Sequence, residues 1–299
     1  MKKNLVTIGT FDGVHSGHRF LFTELEKAAA LLHLKPLVLY FPLPPKTLLS
    51  PHPEMTILTT PDEKKHLFKQ LGLRSCALDF QTCHHLSAAD FAEKILMQQF
   101  KAGGILAGPD FAFGKDRQGD NAFLRQFAQT HQMDFVPLPF YKIMQDKISS
   151  SLIRRTLGRG DIATANTLLA RPYDLSGCVI KGHQLGRKLG FPTANLDTGI
   201  YKVLPMGVYA VQVRVGRKFY NGFCNIGLRP TIHTLDLPLV EVHIFNFKQS
   251  IYGRKITIFF REKLRDETKF SSLEALRAQL LQDRQRAQAV LQKYTWPEI

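Results

Sequence analysis

The hydrophobic pattern changes its period a little past the middle of the chain, and that change limits the fold more than any other feature. Up to about Ala170, short apolar runs alternate with amphipathic stretches. Leu5 to Ile8, Leu37 to Phe41, Ser75 to Phe80 and Gly104 to Ala107 predict strands, and Gly17 to Leu34, Pro61 to Leu71 and Ala88 to Phe100 predict helices. Strand, helix, strand at these lengths implies an α/β domain, a parallel sheet with helices on both faces. Ligands of such sheets bind beyond the carboxyl ends of the strands. From about Leu175 the texture becomes β-branched and aromatic alternation broken by Gly and Pro. Val208 to Val215, Lys218 to Asn225, Leu239 to Phe247 and Arg254 to Phe260 predict strands with no helix between them, as in a small antiparallel barrel. The chain closes with a helix for which Ser271 and Glu274 form a capping box and Leu273, Leu276 and Leu280 one apolar face. The expected domains are 1–170 and 171–299.

A length of 299 residues suits two domains, and 44% hydrophobic residues with 22 Phe exclude wholesale disorder. The apolar stretch after Met1-Lys2-Lys3-Asn4 ends at Gly9 and runs into Asp12 and His15, so it lacks the apolar core of an export signal. No apolar run approaches the roughly 18 residues of a spanning helix. A soluble, cytoplasmic protein without a membrane partner is expected. Cys76, Cys83, Cys178 and Cys224 are scattered, which indicates neither a zinc knuckle nor a disulfide framework. With 40 Lys and Arg against 25 Asp and Glu, the net charge is 40 − 25 = +15. That charge fits either a nucleic-acid surface or sites for anionic small molecules. The basic residues are dispersed among acidic ones, as in Lys263, Arg265 and Lys269 beside Glu262, Asp266 and Glu267, a pattern usual for a solvated face.

The segment from Gly9 to Arg19, G-T-F-D-G-V-H-S-G-H-R, joins the first strand to the first helix. Gly9 and Gly17 let backbone approach a ligand, Phe11 lies in the same loop, and free N–H groups at a helix start favour phosphate. His15 and His18 are three apart, so both imidazoles can face one ligand and stabilise charge developing on a phosphorus centre. Read alone, this is as often a plain strand-to-helix turn with two surface histidines. Farther on, Gly108 to Asp120 (G-P-D-F-A-F-G-K-D-R-Q-G-D) offers an aromatic, glycine-lined wall that includes Asp110 and Phe113, and Ile148 to Arg154 (I-S-S-S-L-I-R) puts Ser150 and Ser151 at a helix start with Arg154 in its first turn. A loop with core phenylalanines and an ordinary helix cap are the bland alternatives.

The first segment resembles the H-x-G-H signature of the nucleotidyltransferase superfamily, and in its longer form the adenylyltransferase module of bacterial FAD synthetases. The other two are similar to that family's G-x-[DN]-F-x-F-G and S-S-[ST]-x-I-R blocks, Ser151 keeping the hydroxyl where many relatives have Thr. One departure stands out: where the family commonly has F-E-P-H-P after the second strand, this chain has Phe41-Pro42-Leu43-Pro44-Pro45, without the acidic residue and the histidine.

The second half carries its own set. Gly182 to Leu196 (G-H-Q-L-G-R-K-L-G-F-P-T-A-N-L) is a flexible loop in which Gly182, Gly186, Arg187 and Lys188 make a phosphate cradle and Thr193 and Asn195 supply neutral oxygens suited to Mg²⁺. A hairpin is the alternative for the glycine loop alone. The segment resembles the glycine-rich and P-T-A-N signature of riboflavin kinases. Glu241 and His243 lie on one face of a strand that matches that family's E-x-H, where the resemblance makes Glu241 the general base toward the ribityl 5′-hydroxyl of riboflavin. Asn225 to Thr231 is similar to N-I-G-x-x-P-T, and Tyr252-Gly253 and Leu264 to Phe270 are similar to the Y-G and L-R-x-E-x-x-F segments. The last implies a flavin loop of Arg265, Glu267 and Phe270; without the resemblance it is a charged solvent loop.

Taken together, the resemblance covers Gly9 to about Ala287 and implies a nucleotidyltransferase-like FMN adenylyltransferase domain followed by a riboflavin kinase domain. The implied enzyme makes FMN from riboflavin and ATP, then FAD from FMN and ATP, with Mg²⁺, His15, His18 and Arg154 stabilising the adenylyl transfer. Two alternatives remain: a riboflavin kinase whose first domain is degenerate, suggested by Pro42 to Pro45, and a flavin-responsive nucleic-acid-binding regulator, suggested by the +15 charge alone. Self-association is left open.

Overall fold

A computed structural model describes residues 3–45, 57–139, 142–143, 146–182, 185–199, 202–228 and 238–297. His183 and Gln184 of the glycine-rich loop and Arg229 to Thr231 of the N-I-G-x-x-P-T segment lie outside them.

The chain forms two compact units, Met1–Ser150 and Ser151–Ile299. The first is built on five parallel strands, β1 (Asn4–Gly9), β2 (Lys35–Tyr40), β3 (Ser75–Ala77), β4 (Ala102–Ala107) and β5 (Asp134–Pro137), in the order β3-β2-β1-β4-β5. Alternation along these strands divides the core in two. Val6, Ile8, Leu37, Leu39 and Ile105 face one side, Leu5, Val38, Tyr40 and Leu106 the other. The second side is covered by α1 (Ser16–Leu31) through Phe22 and Leu25 and by α2 (Pro61–Gln70) through Leu67 and Phe68. The first side takes Phe91 and Leu96, from a π-helical segment Phe91–Gln99 that continues the turn Ala88–Asp90, and Leu124 of α3 (Asn121–Thr130). Helix α2 starts firmly because Thr60 and Glu63 complete a capping box and Pro61 pre-sets the first turn. The predicted strand from Ser75 to Phe80 stops at Ala77, since Asp79 caps a helical turn that begins at Phe80.

The second unit, from Ser151 on, takes in the rest of α4 (Ser150–Gly158) and α5 (Ile162–Leu169). Asn166 of α5 donates to the Phe260 carbonyl at 2.9 Å and accepts from the Tyr173 N–H at 2.7 Å, which joins α5 to the barrel wall. The barrel is closed, antiparallel and six-stranded: β6 (Asp174–Ile180), β7 (Thr193–Asp197), β8 (Gly207–Val215), β9 (Lys218–Leu228), β10 (Pro238–Ile244) and β11 (Lys255–Arg265), in the order β8-β9-β10-β7-β6-β11. Helix α6 (Leu273–Leu291) lies on its outside, where Ala287 and Leu291 join Phe191, Phe223 and Phe245. Its cap is Ser272, which accepts the Ala275 N–H, and not Ser271 as the capping-box pattern predicts. Glu274 therefore falls one position short of the box, and Leu273, at 53% exposure, is not on the buried face.

Candidate functional sites

The loop after β1 is held in a conformation that ordinary residues avoid. Phe11 has φ 48° and Val14 φ 41°, and a β-branched residue in the left-handed region is strained by about 1–3 kcal/mol. Five hydrogen bonds over-determine it. The buried Asp12 carboxylate accepts the N–H groups of Leu58 and Thr59 at 3.0 Å, the Thr59 hydroxyl donates to it at 3.1 Å, and the Ser150 hydroxyl donates to the Asp12 carbonyl at 2.8 Å. Gly13 N–H donates to Thr59 Oγ1. The outcome is that His15 caps α1: its Nδ1 accepts the His18 N–H, and the two imidazoles stack with centroids 3.5 Å apart. Phe11 packs edge-on to His18 at 5.2 Å.

Of the residues expected here, the structure brings together Gly9, Phe11, His15, Gly17, His18 and Ser150. A Cβ on Gly9 would lie 2.9 Å from the Phe11 ring, and one on Gly17 3.2 Å from the His15 ring, so both glycines make room for the two aromatic planes. Ser151 and Arg154 follow Ser150 along α4 and are grouped with the second unit. Asp110 is exposed in its loop. Phe113 is not an open wall: it is 8% exposed and packed among Phe91, Phe111 and Phe123 with centroids 5.4 to 5.7 Å away. The partly buried Phe111, stacked on it, holds the outer position.

In the barrel, register does the assembling. Asn225 of β9 lies opposite Glu241 of β10, and Glu241 opposite Asn195 of β7, so three side chains form one row on one face. Thr193, two residues from Asn195, shares that face opposite His243. The Oδ1 atoms of Asn195 and Asn225 are buried and, among the described residues, accept no hydrogen bond. Buried carbonyl oxygens of this kind are normally satisfied, so an unmet acceptor row beside a carboxylate fits a ligand of positive charge. Among the described residues no cluster of three His, Cys, Asp or Glu could hold a metal, and Asn195 with Thr193 presents the neutral hard-oxygen donors that suit Mg²⁺. Gly182 leaves room for this row, because a Cβ there would collide with the Asn195 amide. A Cβ on Gly186 would strike the Phe191 carbonyl and reach within 3.4 Å of Thr193 Oγ1. Arg187 and Lys188, in the short turn Leu185–Lys188, are exposed.

His243 is 6% exposed amid Phe191, Phe223 and Phe245, and Nδ1–H donates to the Pro192 carbonyl at 2.9 Å. Burial lowers its pKa, so the ring is a neutral strut for the turn that leads into Thr193. The expected flavin loop divides in two roles. The Glu267 carboxylate lies over Gly227, where no Cβ fits. Arg265 instead grips α6: Nε and Nη2 meet the fully buried Asp283 at 3.0 and 2.8 Å, Nη1 donates to the Asp266 carbonyl, and the guanidinium lies 5.6 Å from the Phe270 ring. Sequence reading missed Asp12, Thr59, Asn225 and Asp283 as parts of these sites. Asp12 and Asn225 stood inside the quoted motifs; Thr59 and Asp283 carried no local signal.

An FAD synthetase family model matches residues 1–152 and a riboflavin kinase family model residues 169–291. The bifunctional riboflavin kinase/FMN adenylyltransferase of Escherichia coli K12 is 34% identical over 93% of this chain and 90% of its own length. That of Haemophilus influenzae is 35% identical over 95% and 93%, and that of Pseudomonas fluorescens 33% over 96% and 92%. A crystal structure of a macrolide-efflux protein from Streptococcus pneumoniae superposes with a TM-score of 0.86 at 31% identity, covering 96% of this chain and 95% of that one. Among the described residues no helix here is long and apolar enough to cross a membrane.

Proposed function

The chain belongs to the bifunctional riboflavin kinase/FMN adenylyltransferase family, and from that premise we propose which residues carry each step. The enzyme phosphorylates riboflavin to FMN with ATP and transfers the adenylyl group of a second ATP to FMN, giving FAD and pyrophosphate.

For the kinase step, Glu241 accepts the proton of the ribityl 5′-hydroxyl as that oxygen attacks the γ-phosphorus and ADP leaves. The observation that carries this assignment is the row Asn225, Glu241, Asn195 across three neighbouring strands, with buried amide oxygens on both sides of the carboxylate. Thr193 and Asn195 would hold Mg²⁺, which supplies charge neutralisation on the transferring phosphate. Gly182 and Gly186, with Arg187 and Lys188, line the nucleotide phosphates, and Glu267 and Phe270 close over the flavin while Arg265 positions their loop.

For the adenylyl step, the FMN phosphate is already an oxyanion, so no base is required. His15 and His18, stacked at 3.5 Å, donate to oxygens of the α-phosphorus as charge builds there. Gly9 and Phe11 shape the adenylate end, Ser150, Ser151 and Arg154 bind triphosphate oxygens, and Asp110 and the Phe111–Phe113 stack border the flavin. The positive charge of the chain serves these polyanions in the cytoplasm, and neither nucleic acid nor membrane is a partner.

The test is a time course with riboflavin, Mg²⁺ and excess ATP in which riboflavin, FMN and FAD are separated by chromatography. Glu241→Ala is expected to stop FMN formation yet still convert added FMN to FAD. His18→Ala is expected to accumulate FMN. Loss of both steps in either variant overturns the division.

A further inference from the structure

Lys64, on α2, has a side chain with no solvent exposure, and it lies against the adenylyl loop without belonging to any motif. Its ammonium donates to three backbone carbonyls: Thr10 at 2.7 Å, Phe41 at 3.0 Å and Pro42 at 3.0 Å. An ammonium has three N–H bonds, so its donor capacity is fully used. The acceptors come from two different places. Thr10 precedes the strained Phe11 in the loop that ends on His15, and Phe41 and Pro42 follow β2, at the start of the segment Phe41-Pro42-Leu43-Pro44-Pro45. The Asp12 carboxylate, bonded to Leu58 and Thr59, fastens the other side of the same loop to the approach of α2.

We propose that Lys64 is a positioning residue of adenylyl transfer, its charged amine tying the loop that carries His15 and His18 to the loop after β2, so that FAD formation requires the ammonium and FMN formation does not. This rests on the placement of adenylyl transfer in the first unit. A neutral amine has two N–H bonds for three carbonyls and turns a lone pair toward one of them, which frees the loop at the point where its backbone is strained.

The proton is also held loosely enough to read. Burial lowers the Lys64 pKa to about 8, only partly offset by Asp12. Among the described residues the titratable groups facing it are Asp12 from the loop after β1 and Tyr40 from β2, whose ring centre is 6.0 Å away. Burial raises the Tyr40 pKa above its usual 10, so Tyr40 stays neutral through the window. On its own helix Glu63 caps Thr60 and Lys65 is exposed, while α1 meets α2 through Phe22 and Phe68.

The experiment measures kcat/KM for FMN to FAD and for riboflavin to FMN on the full chain between pH 7.5 and 9.5, with both steps read in the same buffers. Lys64→Arg and Lys64→Met run beside the wild type. We expect wild-type adenylyl transfer to fall about tenfold per pH unit above 8 while the kinase step holds level. Lys64→Arg, charged throughout, should keep activity without the break, and Lys64→Met should be low and pH-independent with the kinase step intact. Should Lys64→Met not fold, the wild-type contrast between the two steps and an NMR titration of ¹³Cε-labelled lysine, with one midpoint near 8 that Lys64→Arg removes, carry the test. A level wild-type profile, a parallel fall of both steps, or a break that persists in either variant overturns the proposal. Absence of FAD at every pH would instead overturn the placement on which it rests.

Discussion

At the scale of single residues, the adenylyl loop is a set of close approaches that leave no slack. Gly9 sits 2.9 Å, by the reach of an added Cβ, from a ring that also packs on His18, Phe22 and Phe68. Gly9→Ala must therefore move Phe11, at a cost of about 1–3 kcal/mol. FAD formation should drop at least tenfold with FMN formation unchanged, as a two-step assay will show. His243 gives a pH signature in the other unit. Its folded pKa is below the unfolded value because burial disfavours the charged ring. The unfolded chain then binds more protons as pH falls, so this contribution to stability is complete above the unfolded imidazole range and is lost on acidification through the folded pKa. Thermal melts of the kinase unit between pH 7.5 and 5 should decline, and His243→Gln, which keeps a donor for Pro192, should flatten that decline.

Among elements, the junction of β11 and α6 turns on one buried carboxylate. Asp283 accepts two N–H groups of Arg265 and the Gln279 amide at 2.9 Å, and it is fully buried. Removing its charge leaves a guanidinium unpaired, which in such settings costs about 3–5 kcal/mol. Asp283→Asn should lower the melting temperature of the kinase unit and raise its KM for riboflavin more than it lowers kcat, because the loop from Asp266 to Phe270 is released while Glu241 stays in its strand. A fall in kcat alone would place Asp283 elsewhere in the mechanism. The misread cap of α6 belongs to this scale as well. Adjacent serines both suit a capping position, and a one-residue choice between them depends on which backbone is extended, φ −146° and ψ 163° at Ser272.

For the whole molecule, two cores mean two stabilities. Leu39 is fully buried in the parallel-sheet core and has no part in the barrel's cluster. Leu39→Ala should cost the first unit about 2–5 kcal/mol. Warming such a variant should abolish FAD formation at a temperature where FMN still accumulates, which one assay series will reveal. The net charge of +15 makes a second prediction at this scale. If the charge serves nucleotides, affinity for RNA or DNA at physiological salt will be no tighter than the roughly 10⁻⁴–10⁻⁶ M of unspecific attraction and will fall steeply with added salt.

What the order of residues determined by itself was local and periodic. Alternation and helical period are properties of neighbours along the chain, so four of the five parallel strands, four of the six barrel strands, and the glycine, histidine and P-T-A-N motifs could be read before any contact was known. The tertiary structure decided which residues meet across distance. Register placed Asn225 and Asn195 on either side of Glu241, burial made Phe113 a core residue and committed Arg265 to Asp283, and three carbonyls from two loops converged on Lys64. Those facts were illegible because Lys64 stands among polar neighbours in a well-capped helix and Asp283 in a charged one. Whether a charge faces water or a carbonyl is set by the chain packed against it, and local sequence carries no record of that.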